Sequence, residues 1–187
     1  MSNLRRNRIL TLCAAGAAVL ASVTGAAIAL AVRADGATER AVADLAPTQG
    51  QKVHGTVSFE RKSGGVEVVA TIEGLTPGTH GFHVHEVGDC SAPDASSAKG
   101  HFNPGGHPHG ARDAAQRHEG DLGNVTADAS GKAEARLVDS KLALDGANSI
   151  VGKAVIVHEK ADDFKTQPTG DAGGRVACGV VKAAAKR

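Results

Sequence analysis

Residues 53–72 read Val53-His54-Gly55-Thr56-Val57-Ser58-Phe59-Glu60-Arg61-Lys62-Ser63-Gly64-Gly65-Val66-Glu67-Val68-Val69-Ala70-Thr71-Ile72. Val53, Gly55, Val57 and Phe59 fall on one face of an extended chain, with His54, Thr56, Ser58 and Glu60 on the other. A period of two is the signature of a strand with one buried face. Ser63-Gly64-Gly65 supplies a turn, and Val66 to Ile72 a second strand. Working outward, Leu75-Thr76-Pro77-Gly78 turns into a third strand over 80–86. Segments 121–127 and 133–138 flank the turn Asp128-Ala129-Ser130-Gly131, and 150–158 and 175–181 complete the set. No helical period is long enough to compete. The class is all-β, an antiparallel β-sandwich or barrel of about eight strands.

Two segments are too long for hairpin turns, Val87 to Glu119 and Glu159 to Gly174. Long irregular loops inside a compact domain are usually functional. Composition agrees with a loop-rich β domain: the 187 residues include 24 Gly, and with four Phe and no Trp or Tyr the core must be built from Val, Ala, Leu and Ile. A formal charge of +1 gives no basic field for nucleic acid.

The amino terminus divides the chain. Arg5, Arg6 and Arg8 precede an apolar stretch from Ile9 to about Val32, and Ala27-Ile28-Ala29 has the small-x-small pattern of a cleavage site. Residues 1–29 are expected to be a secretory signal peptide. The apolar stretch is long for one, so an uncleaved membrane anchor to about residue 32 is the rival, and membrane contact is expected only in that case. Residues 30–50 lack a convincing pattern and are expected to be a linker or amino-terminal extension, with the functional domain over 51–187. Removing the three arginines with the leader would take the formal charge from +1 to −2 and leave Cys90 and Cys178 as the only cysteines. In an exported chain such a pair is most simply a disulfide, with metal binding as the alternative.

Histidines crowd the first loop and its borders: His83, His85, His101, His109 and His118, with Asp121 three residues further on and His158 in the apolar run Ala154–His158. His83 and His85 are two apart on a strand, so both side chains share a face and can hold one ion. His158 could approach that face from across the sandwich. His101, His109, His118 and Asp121 form a natural tetrahedral set for zinc. Two metals are the simplest reading.

Five segments, in order, resemble copper/zinc superoxide dismutase. They are Gly-Phe-His-Val-His-Glu from 81, His-Phe-Asn-Pro from 101 with His109 eight residues on, Gly-Asp-Leu-Gly-Asn-Val from 120, Val-His-Glu-Lys-Ala-Asp-Asp from 157, and Gly-Gly-Arg-Val-Ala-Cys-Gly-Val from 173. The resemblance covers residues 51–182 and implies a Greek-key sandwich with one copper and one zinc ion. It implies His83, His85, His101 and His158 as copper ligands, and His101, His109, His118 and Asp121 as zinc ligands, with His101 shared between the metals. Asp162 would tie a copper ligand to a zinc ligand, Arg175 would orient the superoxide anion, and Cys90–Cys178 would be the disulfide. The implied activity is dismutation by a copper redox cycle in which His101 also carries a proton, so Arg175 and His101 are the expected catalytic residues. A non-catalytic copper-binding or copper-delivery module of the same fold is the alternative. The long span from Cys90 to His101 and the short 159–174 segment look like the bacterial exported branch, which implies a periplasmic or other extracytoplasmic place.

Three histidines are expected outside the metal site. His54 lies on a solvated strand face, His80 matches a structural position, and His107 is displaced by the spacing that selects His109. Monomer and homodimer both fit, because no strand presents a readable interface pattern.

Overall fold

The computed structural model describes residues 37–185; the expected signal peptide or anchor lies outside them. The strands are β1 (Arg40–Pro47), β2 (His54–Lys62), β3 (Gly65–Glu73), β4 (Gly78–His85), β5 (Asp121–Ala127), β6 (Ala133–Asp139), β7 (Ala154–His158), β8 (Arg175–Val180) and the two-residue β9 (Lys182–Ala183). A single 3-10 turn over Ser96–Ala98 is the helical element among the described residues. None of these is long and apolar enough to cross a membrane as a helix.

The strands pair antiparallel in the order β2-β3-β6-β5-β4-β7-β8-β1, and β1 pairs back to β2 from Arg40↔Glu60 to Leu45↔Gly55. The sheet therefore closes into an eight-position barrel, with β9 continuing the last strand beside β1. The reversed run β6-β5-β4 between β3 and β7 is the Greek-key crossover. Closure removes the free edges that an open sheet would expose.

β1 corrects an expectation. Residues 40–47 belong to the barrel rather than to a linker, so the domain begins before residue 51. Ala41, Ala43 and Leu45 point inward while Arg40 and Asp44 point out. The period of two is present, but alanine has a small side chain and poor strand propensity, so the alternation carries little contrast.

Inside the barrel pack Val57, Phe59, Val68, Ile72, Phe82, Val84, Val155 and Val157. Ala95, Ala98, Ala154, Ile156 and Cys178 form a second, smaller cluster. It shows where the first loop (86–120) lies, on the outer face of β7 and β8. Every residue of β7 is buried for this reason, with barrel core on one side and loop on the other. The loop is docked against β4 by backbone bonds: Phe102 N–H donates to Val84 O (2.8 Å), Val84 N–H to Gly120 O (2.9 Å) and Gly120 N–H to Phe102 O (2.8 Å). A Cβ at Gly120 would fall 2.2 Å from Val84 O, so only glycine allows this approach.

Candidate metal centre

Alternation along β4 and β7 decides which way the histidines face. Phe82 and Val84 enter the barrel, so His83 and His85 stand on its outer face, beneath the loops. Val155 and Val157 enter likewise, so His158 emerges on that same outer face. β7 is the direct neighbour of β4, with His83 opposite Ile156. His158 thus reaches the pair from the adjacent strand, not from across the sandwich. Closure of the barrel fixes that neighbourhood, which spacing along the chain does not reveal.

Two groups of ligand-type atoms result, each drawn together within 4.8 Å: His83, His85, His101 and His158, and then His101, His109, His118 and Asp121. All seven residues are buried. In the first group each ring commits one nitrogen to a protein partner. His83 Nε2 meets Asp162 Oδ2 (2.7 Å), His85 Nδ1 donates to Lys99 O (2.8 Å), and His158 Nδ1 to Gly173 O (3.3 Å). The other nitrogens turn toward one another. His83 Nδ1 and His101 Nε2 are buried without a hydrogen-bond partner among the described residues, and the Nε2 atoms of His85 and His158 lie 3.4 Å apart. Buried nitrogens left unbonded in a protein interior are costly. Two such nitrogens, converging with the facing Nε2 atoms of His85 and His158 on rings oriented from their far sides, suit a metal that takes neutral imidazoles.

The second group surrounds one oxygen. His101 Nδ1, His109 Nδ1 and His118 Nδ1 stand 2.8, 3.0 and 3.2 Å from Asp121 Oδ1. A tetrahedral zinc site with bonds of about 2.0–2.1 Å would separate its ligand atoms by about 3.3 Å. The cage is close to that size. Asp121 Oδ2 is fixed by Gly110 N–H (3.1 Å) and His118 N–H (3.0 Å). His101 turns one nitrogen to each group.

Asp162 joins the groups a second time, with Oδ2 on His83 and Oδ1 on His109 Nε2 (2.9 Å). Asn124 holds it through both backbone groups, accepting from Asp162 N–H (2.8 Å) and donating to Asp162 O (3.0 Å). Arg175 is pinned by Ala95 O (2.6 Å) and Lys99 O (2.5 Å). Lys99 O also anchors His85, so Arg175 sits one carbonyl away from the first group. Cys90 and Cys178 form a disulfide, with Cα atoms 5.8 Å apart, tying the first loop to β8.

His54 is exposed and His107 lies in neither group. His80 is buried between His158 O and Thr76 O, each 2.8 Å from a ring nitrogen. The sequence reading did not single out Asn124, Gln167 or the carbonyls of Ala95, Lys99 and Gly173. An asparagine within β5 was a usable signal, since strand interiors disfavour it. The carbonyls carry none.

Burial pushes the His101 pKa down to about 4 and His158 to about 3, and lowers His83 and His85 as well. These rings are neutral at neutral pH, as metal ligands must be. Burial also acts to lower His109, but the hydrogen bonds its ring donates to Asp121 and Asp162 outweigh it and raise it to about 9. Burial would raise Asp121, yet its three histidine partners hold it well below the usual carboxylate range.

These shifts predict a pH profile for the metal-free protein. Below pH 6.5 the unfolded chain protonates His101 and His158 before the folded one does, so stability falls as the pH drops from 6.5 toward 4. His109 runs the other way, its contribution complete below 6.5 and lost as the pH rises through about 9. Urea midpoints should therefore decline on both flanks of neutrality. A midpoint that rises on acidification below 6.5 would contradict the neutral, buried state of His101 and His158.

Residues 53–181 match the family model described as copper/zinc superoxide dismutase (SODC). A crystal structure of the clock protein EA4 superimposes with a TM-score of 0.74 at 42% sequence identity, covering 80% of this chain and 97% of that one.

Proposed function

Because the chain belongs to the copper/zinc superoxide dismutase family, we propose that it converts two superoxide anions and two protons into dioxygen and hydrogen peroxide. The observation that carries this reading is His101, common to both ligand groups and turning Nε2 to one and Nδ1 to the other. His83, His85, His101 and His158 would hold copper, and His101, His109, His118 and Asp121 zinc. Copper, when bound, supplies a one-electron redox cycle, and zinc supplies fixed charge without redox chemistry.

The remaining work falls to the protein. Arg175 presents a guanidinium beside His85, held by two loop carbonyls, and attracts and orients a small anion. The rings of the first group stay neutral through burial, so the positive field at the site's rim comes from Arg175. His101 holds a proton at Nε2 in one half of the cycle and delivers it to the peroxide product in the other. Asp162 keeps His83 and His109 in one orientation while this happens.

The short 159–174 loop, the long span from Cys90 to His101 and the leader-like first 29 residues support an exported, bacterial-type member with an extracytoplasmic place. The amino-terminal residue of the exported protein tests this: a start near Leu30 means cleavage, and Met1 or Ser2 an anchor. A copper-holding module without catalysis is the rival, and the full ligand set with Arg175 favours the enzyme. The deciding experiment is a superoxide-dismutation assay on protein loaded with both metals, with metal content measured alongside. One copper, one zinc and rapid dismutation support the enzyme; both metals bound without activity leave the module.

A further inference from the structure

The residues that surround Asp121 Oδ1 differ in how their backbones are held. Asp121 lies on β5, and His101 pairs with His85 as an isolated β-bridge. His118 donates its N–H to Asp121 Oδ2, and its carbonyl accepts from Asp121 N–H (3.3 Å) and Arg117 Nη1 (2.8 Å). His109 sits in an irregular stretch of the first loop, and among the described residues neither its N–H nor its carbonyl has a backbone partner.

Both are taken by one side chain from the second loop. Gln167 Oε1 accepts from His109 N–H (2.8 Å), and Gln167 Nε2 donates to His109 O (2.9 Å). The amide thus replaces the strand that His109 lacks. The segment presenting it is closed on itself. Gly170 N–H donates to Thr166 O (2.7 Å), Asp163 N–H to Gly170 O (2.9 Å), and Asp163 Oδ1 accepts from the N–H groups of Lys165 and Thr166. Asp162, at the start of that segment, holds the His109 ring at Nε2. Residues 162–167 therefore grip His109 at three points, ring, N–H and carbonyl, in addition to the contact of its Nδ1 with Asp121. Gln167 Nε2 also donates to Lys165 O at 3.4 Å, but the shorter bond at each end of the amide, 2.8 and 2.9 Å, reaches His109, 58 residues away.

We propose that Gln167 is a positioning residue that latches the second loop onto His109 and sets how long the zinc-side site retains its ion. Outward movement of His109 must break both amide bonds, so ion release is coupled to opening of the 162–170 segment. The latch rests on reading the second group as a zinc site, not on catalysis.

The test loads the full chain with zinc and follows release to excess chromogenic chelator in wild type, Gln167→Ala, Gln167→Glu and Thr169→Ala. Loss of an outer partner of a metal ligand typically weakens binding about 10–100-fold, and release from Gln167→Ala should quicken by a factor in that range. Gln167→Glu, which keeps an acceptor for the His109 N–H but loses the donor, should also release faster, by a smaller factor. Thr169→Ala, whose side chain makes no hydrogen bond among the described residues, should match wild type. Melting of the metal-free proteins is the companion readout. A Gln167→Ala protein that melts earlier without metal yet releases zinc at the wild-type rate overturns the latch, because its role is then only structural. If Gln167→Ala does not fold, Gln167→Glu decides by the same criterion. An inactive wild type with the expected release rates would sink the dismutase reading and keep the latch; an active enzyme with unchanged release rates would do the reverse.

Discussion

Asp139→Ala will destabilise the domain by about 3–5 kcal/mol, the cost typical of leaving one member of a buried ion pair without its partner. Arg117 and Asp139 are both buried, and Arg117 Nη2 donates to Asp139 Oδ2 at 2.5 Å. The rest of the guanidinium is spent on carbonyls: Nε on Arg112 O (2.7 Å), and Nη1 on His118 O (2.8 Å) and Glu119 O (3.3 Å). The other carboxylate oxygen of Asp139 caps the N–H groups of Lys141 (2.9 Å) and Leu142 (3.3 Å). Alanine at 139 strands a buried cation next to His118 and frees the start of the segment that follows β6. For a domain of this size each kcal/mol shifts the melting temperature by roughly 2–4 °C, so a fall of roughly 10 °C is expected. Replacing both partners, as Arg117→Met with Asp139→Leu, should recover part of the loss because no charge is then stranded. Recovery stays incomplete, since Arg112 O, His118 O and Glu119 O lose the Arg117 donor, and of these His118 O keeps the Asp121 N–H. A single variant that melts within a degree or two of wild type would show that the pair is not desolvated as its burial implies.

His158→Ala is expected to abolish the proposed dismutation while leaving zinc in place. His158 contributes only to the first ligand group; the second shares no atom with it. Its removal leaves three nitrogens where four converge, and takes away the Nε2 that lies 3.4 Å from His85 Nε2. Changes to partners one layer out typically cost about 10–100-fold, so loss of a ligand itself should cost at least about 100-fold in activity. Copper bound at equal stoichiometry should fall and zinc should hold at one per chain. Equal loss of both metals would mean that the groups do not behave as separate sites. Activity within a few-fold of wild type would remove His158 from the copper site.

Where side chains alternate in size, the fold was plain in the sequence. Val53 to Ile72 announced two strands and a turn because Val and Phe contrast with Thr, Ser and Glu. The alanines of β1 hid the same alternation, and the strand that closes the barrel was missed. At the site, the residue types pointed to the side chains that the fold gathers into two buried groups, and His101 was placed between the groups only through family resemblance. That His158 comes from the strand beside β4 depends on a register set by the closed barrel, a global property that no local spacing contains. The carbonyls of Ala95 and Lys99 were invisible for a plainer reason. Every residue has a carbonyl, and only the path of the backbone decides which one meets Arg175 or His85.

The alternation along β4 and β7 separates two demands that most active sites must reconcile in one place. Phe82, Val84, Val155 and Val157 face the barrel core, while His83, His85 and His158 face the loops. A change of volume at an inward position is felt mainly by its neighbours inside, and a change of ligand mainly by the loops outside. Variation can then proceed on the two faces in parallel. Drift in the hydrophobic interior leaves the chemistry in register, and the loops can lengthen, shorten or exchange charges without renegotiating the core.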